Sequence, residues 1–345
     1  MPRMSAAMFI ALLVSGCAGV PGGGAAGAAS STPASPGATS TLAPSAQALP
    51  SFSRDEPLVL FGGLTGAGGG IFVSRPDGSG LQQLATDVLP GVHKSGDWSP
   101  DGQRVVFMDE STERMYIAHL DGSPTERLSV CDTAGCANPA WSPDGGRIAF
   151  SRLESAAGVI GPAAVGIYVV DVATGKVSRI VRLERPLLAD VPRWSPDGQT
   201  ILFGVDRMDE EANETGAAVA IVPVAGGKIR YLTDFALFGY VSDWGSSTNS
   251  IAFSVDVRGA MKGADVESET WDLYLVRPDG TGLRRLTNAK PLERLRSPRW
   301  TPDGTKITAY DHQIPGGIIV DPATGTFQPF VTTGNFTRPM VRPQP

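Results

Sequence analysis

The chain has 345 residues, a net charge of -6, 41% apolar residues and 19% charged residues. Its length fits two ordinary domains or one long repeat array, and its apolar share is enough for a packed core. The acidic balance excludes a nucleic-acid binder built on a basic stripe. The 42 glycines and 28 prolines argue for turns and short strands rather than long helices.

The first seventeen residues carry Arg3 near the start, an apolar run from Ala6 to Val14, and small residues before Cys17. The run is too short to span a bilayer and reads as an export signal. Val14-Ser15-Gly16-Cys17 resembles the lipobox of bacterial lipoproteins, with valine where leucine is commoner. The resemblance implies that Cys17 is lipidated and becomes the new N-terminus, placing the protein on the cell envelope, outside the cytoplasm. The competing reading is an ordinary cleaved signal peptide with an incidental cysteine. From Ala18 to about Ser53 the composition is Gly/Ala and then Ser/Thr/Pro, without periodicity. Such a segment cannot bury a core and serves as a tether, with an end-to-end distance of about 30 Å. The expected organisation is a signal peptide over 1–16, a lipidated, disordered tether over 17–54, and a folded region over 55–345.

The folded region repeats itself. Trp-Ser-Pro-Asp-Gly stands at Trp98, Trp141 and Trp194, Trp-Thr-Pro-Asp-Gly at Trp300, and a decayed copy at Trp244. These tryptophans lie 43, 53, 50 and 56 residues apart, a spacing that marks a repeat architecture. Each turn precedes a short apolar strand: RVVF from Arg104, RIAF from Arg147, TILF from Thr200, SIAF from Ser250 and KITAY from Lys306. Six hairpins closed by Asp-Gly, Thr-Gly or Gly-Gly complete the units; Ile71 to Leu84 and Leu273 to Leu286 match almost residue for residue. That turn chemistry suits hairpins. Six units of four antiparallel strands, arranged as a ring to hide their edges, predict an all-β, six-bladed β-propeller.

The first unit, from Pro57, lacks an innermost strand. The tail Arg338 to Pro345 matches Asn138 to Gly145 in register, with Val341 in place of tryptophan, so the last strand is expected to complete blade 1 and fasten the ring. In the turns, proline presets φ, aspartate bonds its own backbone and glycine takes positive φ. These residues are read as structural rather than as ligand-binding. Cys131 and Cys136, in an exported chain, form a structural disulfide in the favoured reading. Closing that small ring is worth about 2 kcal/mol; free thiols and a redox pair are the alternatives, though C-x-x-C spacing is absent.

The pattern N-P-x-W-S-P-D-G-x-x-I-A-F, followed by a D-G hairpin ending in L-T, resembles the TolB-like, WD-repeat-like propeller family over about Pro57 to Pro345. The resemblance implies the fold and leaves the function open. The family's namesake has an extra N-terminal α/β domain where this chain has a tether.

No catalytic constellation stands out. His93, His119 and His312 occur in no H-E-x-x-H or spaced ligand cluster, and G-x-S-x-G and Walker motifs are absent. Lyases of related propeller type hold a metal with several histidines, which three scattered ones fit poorly. No cofactor or metal is therefore expected. The connections between second and third strands are longer in three consecutive blades, from Arg152, Asp206 and Asp256. Insertions gathered on one face mark a binding side. The candidate partner contacts are Asp206, Arg207, Asp209, Glu210, Glu211, Glu214, Asp256, Arg258, Lys262 and Asp265 in the loops. Tyr240, His93 and His312 join them at the mouth. The alternative is that these are solvated, mobile loops; a calcium ion on the acidic loops is a further possibility, though their spacing is not that of an EF-hand.

Two functions compete. The first is a non-catalytic, membrane-anchored module that binds an envelope protein and needs no second copy, so a monomer is expected. The second is an envelope glycan-binding or glycan-acting propeller, with Asp190, Asp234 and Asp243 as candidate acids. Two carboxylates beside an exposed aromatic such as Tyr240 or Phe238 would favour sugar chemistry; a polar mouth without them would favour protein binding.

Overall fold

A computed structural model describes residues 52–344, apart from 66–67, 89–92, 110–111, 132–134, 155–162, 258–269, 290–293, 312–313, 315–316 and 331–335. Cys17, the tether before residue 52, Arg258, Lys262, Asp265 and His312 lie outside the described residues, and of His93 only the backbone is described.

Blade 1 contains β1 (Val59–Thr65), β2 (Gly68–Ser74) and β3 (Gln82–Leu84). Blade 2 contains β4 (His93–Trp98), β5 (Arg104–Asp109), β6 (Arg114–His119) and β7 (Glu126–Leu128). Blade 3 contains β8 (Gly135–Trp141), β9 (Arg147–Glu154), β10 (Ala164–Asp171) and β11 (Val177–Glu184). Blade 4 contains β12 (Leu187–Trp194), β13 (Thr200–Met208), β14 (Glu214–Pro223) and β15 (Arg230–Tyr231). Blade 5 contains β16 (Gly239–Trp244), β17 (Ile251–Asp256), β18 (Trp271–Val276) and β19 (Arg284–Arg285). Blade 6 contains β20 (Arg296–Trp300), β21 (Ile307–Tyr310), β22 (Ile318–Val320) and β23 (Phe327–Pro329), and the chain ends in β24 (Phe336–Val341).

These strands make six four-stranded antiparallel sheets. The inner strands touch in the order β4, β8, β12, β16, β20, β24, and β24 and β1 both touch β4, which closes the ring. The molecule is the expected six-bladed propeller, and β24 pairs with β1 in blade 1, Val341 opposite Val59. Among the described residues, no helix is long and apolar enough to cross a membrane.

The repeated strings explain the sheets locally. The second strand of each blade is sandwiched, so its apolar run is continuous; Val105, Val106, Phe107, Ile148, Phe150, Ile201, Phe203, Ile251 and Phe253 are all fully buried. In the turns, the hydroxyls of Ser99, Ser142, Ser195 and Thr301 donate to Asp101, Asp144, Asp197 and Asp303. Each carboxylate also accepts a backbone N–H two residues on, and each hydroxyl accepts one five residues on. The glycines beside them, at φ +64 to +69, occupy the left-handed region that glycine adopts freely.

The tryptophans are the joints between blades. The Trp98 indole N–H donates to the Met340 carbonyl at 3.1 Å, and that of Trp194 to Ala140 at 3.0 Å. Arg104 and Arg147 lie 4.6 and 4.7 Å over the rings of Trp141 and Trp194 in the following blades, a cation–π contact. Just before each of these joints the inner strand slips register. In four blades the slip holds Pro139, Pro192, Pro298 or Pro339, which lacks the N–H a ladder needs, so a bulge is the physical solution.

Beyond β24, Arg342 is 1% exposed. Its guanidinium donates to the carbonyls of Gly102, Ser53 and Glu56, and its N–H to Leu58. The tail is thus tied to blades 1 and 2 as well as paired with β1. Cys131 and Cys136 are joined by a disulfide with Cα atoms 5.7 Å apart.

Candidate functional site

The inner strands set the chemistry of the axis. One position before each inner-strand tryptophan stand Asp97 in blade 2, Ala140 in blade 3, Arg193 in blade 4, Asp243 in blade 5 and Arg299 in blade 6. Blades 2 and 5 face each other across a six-membered ring. The Arg299 guanidinium lies 3.7 Å from both Asp97 and Asp243 and is only 11% exposed, so it bridges the axis. Asp97 and Asp243 each also accept the backbone N–H of the next blade's tryptophan, Trp141 and Trp300, at 2.8 Å. Burial pushes the Asp97 carboxyl up, against the pull of Arg299 and Arg193. Asp243, a candidate acid for sugar chemistry, is therefore part of a cross-axis brace.

Three residues further toward the long-loop face the same strands carry Asp190, Tyr240 and Arg296, about 10 Å away along an extended chain. Here the carboxylates gather. Asp206 is 7% exposed at the end of β13. Burial, then repulsion from Glu214 and Asp190, pushes its carboxyl well above the usual carboxylate range. Among the described residues no cation offsets that push. The Tyr240 hydroxyl is raised by burial and by Glu214, to which it hydrogen-bonds, with further contributions from Asp206 and Asp256. Blade 4 thus supplies Asp190, Asp206 and Glu214 to a recess that blade 5 completes with Tyr240 and Asp256.

An aromatic floor continues across blade 5. The Tyr240 and Trp271 rings are 4.8 Å apart, and the Arg296 guanidinium of blade 6 lies 4.0 Å over Trp271. Tyr240 stands opposite Ser254 and Asp256 opposite Trp271 in the ladders. Cross-strand partners, and residues two apart on one strand, share a face, so the four lie on one side of the sheet. The Trp271 indole N–H and the Ser254 hydroxyl are buried, 8% and 2% exposed, and have no hydrogen-bond partner among the described residues.

Other expected contacts have different places. The acidic segment from Asp206 is not a long loop. Strand β13 continues to Met208 and β14 resumes at Glu214, because alternating apolar and small residues keep the ladder going. The turn left between them is tied to Asp209, whose carboxylate accepts from the backbone of Glu211 and Asn213 and from the Asn213 amide; these bonds hold it below the usual range. Glu210 and Glu211 are exposed on that turn. Arg207 projects from the opposite side of the strand to Asp206 and sits 5.0 Å over Phe235. Asp190 accepts from Asn138, Ser151 and the backbone of Val191, and Val191 itself takes a strained φ of 50. Asp234 is an exposed N-cap that accepts from Ala236, and Phe238 is the matching C-cap. Asp234 is not among the groups that act on Asp206 or Tyr240, whereas the Phe238 carbonyl accepts the Asp256 backbone N–H at 3.2 Å. His119 pairs with Glu126 at 3.1 Å. Among the described residues no group of three or more His, Cys, Asp or Glu is arranged to hold a metal ion.

The sequence reading missed Trp271, Ser254 and Arg296. A usable signal existed: Phe203-Gly204-Val205-Asp206 and Phe253-Ser254-Val255-Asp256 repeat at equivalent positions of two neighbouring blades. Two buried strands ending in the same acid mark one mouth.

No family model matches the chain. An uncharacterized protein of Agrobacterium fabrum (strain C58 / ATCC 33970) is 25% identical over 224 residues, covering 63% of this chain and 69% of that protein. Among solved structures, TolB from Acinetobacter baumannii gives a TM-score of 0.61 at 17% identity, over 84% of this chain and 67% of that one. Oligogalacturonate lyase from Vibrio parahaemolyticus gives 0.55 at 13% identity, over 78% and 73%. One neighbour is a lyase by name and the other is not, and at these identities the likeness is one of fold. In architecture, the chain is similar to TolB-like six-bladed propellers.

Proposed function

We propose that this protein is a non-catalytic propeller, tethered to a membrane through Cys17, that binds another cell-envelope protein at the mouth of its long-loop face. The carrying observation is the recess between blades 4 and 5, where Asp206, Glu214 and Tyr240 are held together at an electrostatic cost. Perturbed, buried carboxylates cluster at functional sites. The brace at Arg299 crosses the axis on the far side of the recess, which suits surface docking better than passage through the channel. The lipobox pattern and the tether support the envelope location.

The glycan reading draws on carboxylates lying beside an aromatic. Tyr240, however, is packed on Trp271 and its hydroxyl is engaged by Glu214, which leaves a poor open platform for a sugar ring. Protein binding is the better-supported function. The test is crosslinking in native envelopes with the lipidated full chain and with an Asp206→Asn/Glu214→Gln double variant. The expected result is a partner band that the double variant weakens while its melting temperature does not fall. A partner profile identical for both proteins would remove the recess as the interface. Replacing only Asp209 to Asn213 by a short Gly-Ser link tests the outer turn separately; cutting back to Asp206 would remove ladder residues and a buried side chain.

A further inference from the structure

A closed ring needs no second copy, and the sequence alone predicts a monomer. The rim of blade 3 argues otherwise. The outer strands β3, β7, β15, β19 and β23 are only two or three residues long. Short outer strands leave little open edge, which is one way sheets avoid pairing with other chains. Strand β11 instead runs for eight residues, Val177–Glu184. It has β10 on one side and, among the described residues, no strand on the other. In an antiparallel ladder alternate residues turn their N–H and C=O toward the neighbouring strand. The Lys176 carbonyl accepts from Asp171, and the Arg185 N–H donates to Ala163. Counting back from Arg185, Leu183 also turns inward, and Arg182 and Glu184 turn their backbone groups outward. Counting on from Lys176, Val177 and Arg179 do the same, before the extra residue Ile180 shifts the register.

This edge is self-complementary at one place. When two copies of β11 meet antiparallel about a two-fold axis at Leu183, Arg182 stands opposite Glu184 of the second copy, twice, and leucine stands opposite leucine. Opposite charges and apolar residues are favourable cross-strand pairs. Both Arg182/Glu184 pairs are of the kind that exchanges two backbone hydrogen bonds, and the leucine pair is of the kind that brings side chains closest. The Glu184 side chain is 67% exposed. Arg182 already pairs with Glu154 at 2.9 Å and with Glu184 of its own strand, so its guanidinium is held on that face. A register that opposes Val177 to Glu184 and Arg179 to Arg182 would use more of the edge. It sets arginine against arginine twice, which is destabilising, and brings both Ile180 bulges to its centre.

We propose that β11 is a homodimer edge: two copies of this chain pair antiparallel through Arg182-Leu183-Glu184 and join their blade 3 sheets into one sheet of eight strands, four from each. The contact is small, so the dimer is weak and reversible. The inference is independent of the recess and of the protein-binding function above.

Leu183→Cys tests the register, because a two-fold axis at that residue sets it against itself within reach of a disulfide. Two differently tagged copies of the full chain are co-expressed, oxidised in whole cells with copper phenanthroline and resolved on non-reducing gels. Leu183→Cys is expected to give a covalent dimer that holds both tags, and Ser178→Cys, on the same strand, to give little. Adding Arg182→Glu or Glu184→Arg to Leu183→Cys should each lower the dimer band about tenfold. Co-expressing the two charge variants should restore it, since each charge then meets its opposite. The melting temperature of each purified variant reports the fold. If Leu183→Cys does not fold, sedimentation velocity of the wild-type chain against the two charge variants and their mixture carries the same test. A folded Leu183→Cys without a dimer band, equal bands from Ser178→Cys, or no rescue on mixing would overturn the inference. So would crosslinks to other proteins alone, or a stronger dimer with Arg182→Glu, which the competing register predicts.

Discussion

The two ends of the propeller use the same residue to opposite effect. On the turn face, Asp101, Asp144, Asp197 and Asp303 sit in four copies of one self-contained motif, and their hydrogen bonds hold each carboxyl below the usual range. At the mouth, Asp206 is buried among other acids and is pushed far up. The turn aspartates are stabilised mainly by groups within three residues of them, with Arg54 adding to Asp101. The mouth aspartate is destabilised by groups from other strands. A carboxylate that satisfies itself locally builds a fold, and one that is crowded at the fold's expense marks a place where something else completes the charge.

The contrast can be attacked most heavily through the ring itself. Deleting Phe336 to Pro345 removes β24 and the Arg342 anchors, and should abolish cooperative unfolding in a thermal melt; a truncated protein with a near-normal melt would break the account of closure. Next in size, Trp194→Ala at a blade joint should cost about 3–5 kcal/mol in urea unfolding. Trp271→Phe at the mouth should cost less than about 1.5 kcal/mol, because it keeps most of the ring volume and removes an N–H that has no partner among the described residues.

Smaller effects separate the two kinds of aspartate. Asp197→Ala removes two hydrogen bonds and should lower the melting temperature by about 2 °C near neutral pH, whereas Asp206→Asn should raise it by a similar ~2 °C. Their pH dependences should run in opposite directions. The Asp197 carboxyl is lowered in the folded state, so its contribution is present above the ordinary value of 3.8 and fades as pH falls through the folded value. The deficit of Asp197→Ala should therefore shrink in acid. Asp206 is raised, so its contribution is full below 3.8 and is lost as pH rises through the folded value. The advantage of Asp206→Asn should be absent near pH 3 and grow toward neutrality. Parallel pH profiles for the two variants would erase the distinction between turn and mouth.

Much of the fold was legible because its information is local and repeated. Trp-Ser-Pro-Asp-Gly encodes a turn closed within five residues, the following apolar run encodes a sandwiched strand, and the tail's match to Asn138–Gly145 revealed which strand completes blade 1. The site was legible only in part. Asp206, Glu214, Tyr240 and Asp256 were singled out, but as members of acidic loops and a mouth rather than as one buried group. Asp209 from the same segment proved to be a turn tie, and Asp234 a helix cap.

By itself the sequence determined the number of blades, the chemistry of their turns and the strand that shuts the ring, since each depends on contacts within one repeat or on a copy of one. The tertiary structure decided which carboxylates are crowded and which are satisfied, that Arg299 braces Asp97 against Asp243, and that Trp271 and Ser254 lie on one face of blade 5 with Tyr240. Those facts depend on how neighbouring blades are rotated about a common axis, which brings together residues tens to hundreds of positions apart and leaves no mark in any single repeat.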